Sequence, residues 1–297
     1  MENCTFSGRK HPAAIDIAED CEVVISVSGE NKLMDGGIRV ASTSTLIFEG
    51  DGILAINVTG KEAFGIGNDM GSYHGDLVFD QDGLIDITIN SSKGIAIGSG
   101  LGGHTSIRRG AYKLNLMGQQ CVGFGSIEGN IEPLISKCAF EVKSTAINAV
   151  GIGSFTGNCD TMIEHSSVNM DFFGSDVVLI GSKKSDKLNI SIFSAAFTMK
   201  ARAHDITAVG SGTAAPTNIN IDYLATKIDI EGSQTDIFRG VDSSVKVRVS
   251  NSRTEGSVVT NLEDREYDGV MDYKIWDSTV SINRNGQMIS DHIWTKS

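Results

Sequence analysis

The sequence predicts an all-β protein, a single-stranded right-handed parallel β-helix, or β-solenoid, of about eight to nine coils. Each coil is expected to hold about 29 residues in three short strands. Two observations lead to this fold: a glycine-centred motif recurs at nearly constant spacing, and alternating apolar segments fill the rest of each repeat. The right-handed sense follows the strong preference of parallel crossover connections.

The repeat is anchored on a glycine that follows apolar residues, as in "IAIGS" and "VGFGS". In the six clear copies the residue directly before the anchor is apolar, and the second residue before it is nearly always small. This alternation predicts a strand with the apolar residue inward and the small residue outward. The anchors are Gly67, Gly98, Gly125, Gly153, Gly181 and Gly210, with a weaker copy at Gly240. The small column is Gly65, Ala96, Gly123, Gly151, Leu179 and Ala208.

Two further alternating segments follow each anchor, such as "TMIEH" and "SVNMDFF" in one repeat. No helical pattern separates them, which excludes ankyrin, tetratricopeptide and HEAT repeats. Each strand is therefore expected to pair with its counterparts in the coils on either side, about 4.8 Å away. A single coil cannot bury its apolar face alone, so the array should fold as a unit.

The chain is interpreted as one domain over residues 1–297, because no proline- or serine-rich stretch marks a boundary. Regular coils are predicted over 10–260, and an irregular last coil with a C-terminal cap over 261–297. Solenoid ends expose unpaired strand edges, which favours end-to-end or face-to-face self-association.

The formal net charge of −12 argues against a nucleic-acid partner. No apolar run reaches the length of about 18 residues that a spanning helix needs, so membrane insertion is not expected. The first residues lack the apolar core of a signal peptide. Localisation therefore stays open: the cell surface if this chain is cut from a longer protein, the cytoplasm otherwise.

The five cysteines form no CxxC pair and no spacing typical of a metal site, so they are expected to be buried free thiols. No motif for a nucleophile, a metal or a cofactor meets its structural context, so none of these is predicted. No catalytic residue is assigned.

The loops after the anchors carry the candidate ligand-binding residues. Stacking should bring their side chains together on one edge of the solenoid, where carboxylates and imidazoles could bind a ligand or perform acid–base work on a sugar. A solvated polar ridge explains the same residues without a ligand. The candidates are Asp69, His74, His104, Glu128, Glu132 and Asp160.

A column of polar residues directly follows the anchors and is expected to hydrogen-bond to the backbone of the turns. Its members are Asn68, Ser99, Ser126, Ser154, Ser182 and Ser211. Aromatic residues make up 6% of the chain, and several of them fall at positions expected to face inward, so few are expected on the surface. These inward positions are Phe64, Phe124, Phe140, Phe172 and Phe197.

The segment "PAAIDIAEDCEVVISVSGENKL", with the later "GGIRVASTSTLIFEGDGILAINV" and "GIGNDMGS", resembles the β-helix repeat region of large surface proteins from Gram-positive gut bacteria. The resemblance covers most of residues 10–215. It implies a solenoid and a carbohydrate-binding or adhesin-like role.

Three functions stay open. The leading hypothesis is a non-catalytic binding or display module whose partner is a glycan or another protein. The second is a β-helix enzyme acting on a polysaccharide, a lyase or a glycoside hydrolase. The third is a cytoplasmic scaffolding or regulatory solenoid.

Overall fold

The computed structural model describes residues 1–7, 13–212, 217–239, 245–250, 252–260, 271–276, 279–284 and 287–290. The predicted anchor Gly240 lies outside these residues, as do 261–270 and 291–297 of the predicted cap. Every regular element in the described part is a strand. The strands are β1 (Thr5–Ser7), β2 (Ala13–Ile17), β3 (Glu22–Val27), β4 (Glu30–Met34), β5 (Gly37–Val40), β6 (Thr45–Gly50), β7 (Ile53–Gly67), β8 (Asp76–Ser99), β9 (Thr105–Ser126), β10 (Leu134–Ser136), β11 (Cys138–Ser144), β12 (Asn148–Thr156), β13 (Cys159–Glu164), β14 (Ser167–Phe173), β15 (Asp176–Lys184), β16 (Leu188–Ser211), β17 (Thr217–Arg239), β18 (Val245–Ser250), β19 (Arg253–Thr260), β20 (Met271–Trp276), β21 (Thr279–Arg284) and β22 (Gln287–Ser290).

The strands stack in parallel on three faces, which confirms the predicted β-solenoid. The first face contains β13, the second β14 and the third β15, and each pairs with its counterparts in the coils before and after. On the third face the stack runs β2, β5, β7, β8, β9, β12, β15, β16, β17, so about eight turns of chain separate its ends. The long strands β8, β9, β16 and β17 continue around the corners and contribute to all three faces.

The anchor glycines stack in register, as the sequence period predicts. Gly125 pairs with Gly153, and Gly153 with Gly181. Gly210 pairs with Arg239 of the next coil, so the ladder continues there without a glycine opposite Gly210.

One apolar core runs along the solenoid and includes a line of stacked aromatic rings. The rings of Phe48 and Phe79 are parallel with centroids 5.1 Å apart, and Tyr112 contacts Phe79 edge-on at 5.8 Å. Phe140 follows Tyr112 at 5.7 Å. Phe48 pairs with Phe79 on the first face and Tyr112 with Phe140 on the second, so the contact of Phe79 with Tyr112 joins the two rows across the interior. Such aromatic contacts stabilise the array beyond their area of burial. Of the predicted inward phenylalanines, Phe124, Phe140, Phe172 and Phe197 lie in this core, and Phe64 is buried outside it.

The small column before the anchors faces inward, so the prediction that it faces outward is wrong. A Cβ atom on Gly65 would lie 2.6 Å from Cγ2 of Ile87, and one on Gly151 would lie 3.1 Å from Cζ of Phe172. Ala96 and its neighbour Ile97 are both fully buried in the main core. The chain bends at this corner, so two consecutive residues point to the interior and strict alternation is broken.

The third residue before each anchor points away from the main core, to the outer side of the third face, yet it is also buried. Ile95, Val122, Val150 and Val178 form a second apolar cluster with three side chains from the segments that follow the anchors. Those covering residues are Met70, Ile127 and Phe155. These segments thus fold back over the third face and remove part of it from water.

Parallel stacking continues past residue 260, where the sequence predicts an irregular coil and a cap. Strand β18 pairs in parallel with β20, and β19 with β21. The last described strand, β22, then pairs antiparallel with β21. This reversal lies within the predicted cap.

All five cysteines are free thiols, as predicted, but only three are buried. Burial raises the pKa of Cys121 and Cys159 to about 12 and that of Cys138 to about 11. These three thiols therefore behave as small apolar side chains rather than nucleophiles. Cys21 is exposed and Cys4 is partly exposed, in contrast to the sequence prediction.

Candidate functional site

The hydroxyl column after the anchors serves the turns, as predicted. The Ser99 hydroxyl donates to the carbonyl of Gly102 at 2.8 Å, and that of Ser126 donates to the carbonyl of Gly129 at 2.6 Å. Ser182 donates in the same way to the carbonyl of Lys184 at 2.9 Å. All three are fully buried, so this column is part of the architecture rather than a surface available to a ligand.

Three of the six candidate residues share one column at the edge of the first face. His104, Glu132 and Asp160 precede strand positions that pair coil to coil, Ser106 with Leu134 and Leu134 with Met162. Successive members are therefore about 4.8 Å apart along the axis. Asp76 occupies the same column one coil before His104, and its Oδ1 lies 3.5 Å from Nδ1 of His104.

The column continues as a ladder of amides. The Asn189 side chain donates from Nδ2 to Oδ2 of Asp160 at 3.2 Å, and Asn218 donates to Oδ1 of Asn189 at 3.0 Å. Amide ladders of this kind add hydrogen bonds along a stack. The polar edge of the first face is therefore continuous from Asp76 to Asn218.

Asp69 and Glu128 lie elsewhere, in the loops beyond the third face. Oδ1 of Asp69 accepts a hydrogen bond from the amide of Gly71 at 3.1 Å, which shapes the turn. Glu128 forms an ion pair with Lys93 at 3.2 Å. The structure therefore does not bring the six candidates together at one place.

His74 is in the interior, with only 5% of its surface exposed. Its Nδ1 lies 2.6 Å from the carbonyl oxygen of Gly75, so the neutral ring donates a proton there. Burial lowers the pKa of His74 to about 4, and the hydrogen bond to Gly75 opposes this shift only in part. The ring is a structural group of the loop and is not presented at the surface.

His74 makes the fold sensitive to acid. Because its folded pKa is below the ordinary value of 6.5, the unfolded chain binds the proton first. The corresponding stability is complete above about pH 6.5 and is lost as pH falls towards 4, a change of about 3 kcal/mol. We expect His74→Asn to weaken this pH dependence in denaturant titrations, while His104→Asn, at an exposed ring, leaves it intact. If the free energy of unfolding varied with pH to the same extent in both variants, the attribution of this dependence to His74 would be wrong.

The expectation of few surface aromatics is wrong, since several rings are exposed on the outside of the coils. Three of them form one cluster, the aromatic triad, at the end of the first face. Phe193 lies in the middle, with His165 edge-on at 5.7 Å on one side and Tyr223 edge-on at 6.0 Å on the other. Phe193 is 43% exposed and Tyr223 is 57% exposed. An isolated apolar ring at the surface is ordinary, whereas large contiguous apolar patches are typical of interaction sites, so the triad is the candidate for one.

Sequence reasoning missed the triad because its members occupy two different columns. Phe193 is the last outward residue of its strand segment, level with Glu164 and Asp222. His165 and Tyr223 occupy the next position, the corner. The rings meet only because the corner backbone redirects two of them toward the third.

The corner holds a stack of residues in the left-handed conformation, with φ of 48° at His165 and 53° at Tyr223. Lys137 and Ser194 take the same conformation in the adjacent coils. A bulky aromatic residue pays about 1 kcal/mol for this backbone, whereas glycine or asparagine adopts it readily. The conformation recurs in each of these coils and therefore belongs to the corner itself, and a residue such as Tyr223 is accommodated there at a small cost in stability.

The described residues contain no cluster of three or more histidine, cysteine, aspartate or glutamate side chains that could hold a metal ion. Nor do they include a helix with the length and hydropathy needed to cross a membrane. No protein-family model, curated protein or solved structure matches the chain. The case for function therefore rests on the geometry of the first face.

Proposed function

We propose that this β-solenoid is a non-catalytic binding or display module that recognises a glycan. We also propose that the chain is related to the repeat regions of gut bacterial surface proteins, which its sequence resembles, and that it has an adhesin-like role. The observation that supports glycan recognition is the aromatic triad. The apolar C–H face of a sugar ring packs on an exposed aromatic ring, while the sugar hydroxyls need polar partners nearby.

The first face offers both kinds of contact within three coils. The outward residues of β16 on this face are Asn189, Ser191 and Phe193, an amide, a hydroxyl and a ring about 13 Å apart end to end. The strands are paired on both sides, so these groups are held on a rigid surface. A preformed platform binds without the entropic cost of ordering a loop.

A glycan-array screen of the full chain tests the proposal, with reducing-end assays on every hit. We expect binding without cleavage, and Phe193→Ala should weaken it about tenfold, as for a central aromatic contact. Phe173→Ala is the matched control, because Phe173 is 67% exposed but lies on the second face. Equal losses in both variants, or no bound glycan at all, would contradict the proposal.

Tyr223→Asn separates binding from stability. Asparagine accepts the left-handed corner, so this variant should be as stable as the parent chain or more stable by up to about 1 kcal/mol. Its glycan affinity should nevertheless fall, since the ring is lost. A variant that is both stable and fully competent for binding would show that Tyr223 has no part in the site.

One observation favours the enzymatic alternative. Glu132 and Asp160 stand in adjacent coils, whose backbones are about 4.8 Å apart. Retaining glycosidases use two carboxyl groups about 5 Å apart. Cleavage in the reducing-end assay, abolished by Glu132→Gln or Asp160→Asn, would replace the binding proposal with this one.

A further inference from the structure

The charge around the aromatic triad differs from the charge on the rest of the same coils. On the first face, the outward residues of the three coils that carry the triad include three carboxylates and no lysine or arginine. The nine residues are Asp160, Met162, Glu164, Asn189, Ser191, Phe193, Asn218, Asn220 and Asp222. Basic side chains border this set: Lys187 lies two residues before Asn189 in the same coil, and Lys137 and Arg248 lie one coil away.

The second face of the same coils is balanced. Its outward residues include Asp171, Asp229 and Glu231 against Lys200, Arg202 and Lys227. Several of these are paired, for example Arg202 with Asp229 at 3.0 Å and with Glu231 at 3.1 Å. Within these three coils the excess of carboxylates over basic side chains is therefore found on the first face and not on the second.

Carboxylates border the central ring of the triad on both sides. Glu164 and Asp222 are the ladder neighbours of Phe193, each about 4.8 Å away along the axis. Glu164 is held by the Ser136 hydroxyl, which donates to its Oε1 at 2.8 Å. A cation above the Phe193 ring would be attracted by the ring face and by both carboxylates.

We infer that the triad and its carboxylates bind a glycan that carries free amino groups, a polymer of glucosamine type. This inference rests on the proposed function and specifies its ligand class. The sugar rings pack on Phe193 and Tyr223, and the protonated amines face Glu164 and Asp222. A polyanionic glycan is disfavoured by the same charges.

The test compares two ligands of equal length on the full chain. The first is a β-1,4-linked glucosamine hexamer, and the second is the same hexamer fully N-acetylated, which is neutral. Titration calorimetry is performed at mildly acidic pH, where the amines carry a proton while Asp and Glu remain largely ionised. We expect the glucosamine hexamer to bind at least about tenfold more tightly, and added salt to reduce the difference.

Substitutions test whether the preference for the glucosamine hexamer arises at the triad and its carboxylates. Glu164→Gln with Asp222→Asn should remove most of the preference for the charged hexamer, whereas Asp171→Asn with Asp229→Asn, on the second face, should leave it unchanged. Phe193→Ala should weaken binding of the glucosamine hexamer by at least about fivefold. Melting curves establish that each variant is folded.

Each remaining outcome overturns the inference in a distinguishable way. Equal or tighter binding of the acetylated hexamer would reject the charge argument and keep the glycan-binding function. Hexalysine binding as tightly as the glucosamine hexamer, with no loss in Phe193→Ala, would indicate a cationic peptide site. Binding of neither hexamer would reject the ligand class, and an array without hits would reject the proposed function as well.

Discussion

Gly153→Ala is expected to lower the free energy of unfolding by about 2–6 kcal/mol. Gly153 has a φ of 149°, a backbone conformation that residues with a Cβ rarely adopt. A Cβ atom built there would overlap the carbonyl oxygen of Gly181 in the next coil. Backbone strain and this overlap each cost about 1–3 kcal/mol. Denaturant titration followed by circular dichroism measures the loss.

Gly71→Ala is the control for the added methyl group. Gly71 is exposed, and a Cβ atom there would find only Oδ1 of Asp69, at 3.9 Å. We expect a change within about 0.5 kcal/mol. If Gly153→Ala were as mild as Gly71→Ala, close backbone stacking at the anchor column would not be what requires glycine.

Ile152→Asp should be among the most damaging single changes in the chain, at about 4–5 kcal/mol. Ile152 is fully buried in the main core, level with Phe124 and Ile180 of the adjacent coils. A carboxylate there has no cation to pair with and leaves a gap where the side chain filled the stack. Because coils contact only their neighbours, hydrogen exchange should show the damage centred on the adjacent coils.

Ile147→Asp provides a matched comparison. Ile147 is only five residues away, but 52% of its surface is exposed. The same substitution should change stability by less than about 0.5 kcal/mol there. Comparable losses at the two positions would mean that the inward assignment of the column before the anchor is incorrect.

The period of the repeat could be read from the sequence because stacked coils repeat their chemistry. Gly125 and Gly153 pair in register, and the Ser126 hydroxyl beside Gly125 bonds to the turn as the pattern predicts. Parallel pairing of equivalent residues requires no knowledge of where side chains point. For this reason the solenoid itself was predictable from spacing alone.

The direction of side chains at corners was not predictable. The two-residue alternation of a strand fails where the chain bends, so Ala96 and Ile97 both face inward and Ile95 lies beneath a loop. The same limit explains the candidate residues. His104, Glu132 and Asp160 share a column, whereas His74 is buried and Glu128 pairs with Lys93.

The sequence by itself determined the repeat, its anchors and the stacking of equivalent residues, because these follow from periodicity. The tertiary structure decided which side chains reach the surface together. Phe193 and Tyr223 belong to different columns and meet only because a left-handed corner turns one ring toward the other. A pattern along the chain does not encode that contact, since it depends on a backbone conformation that tyrosine does not favour.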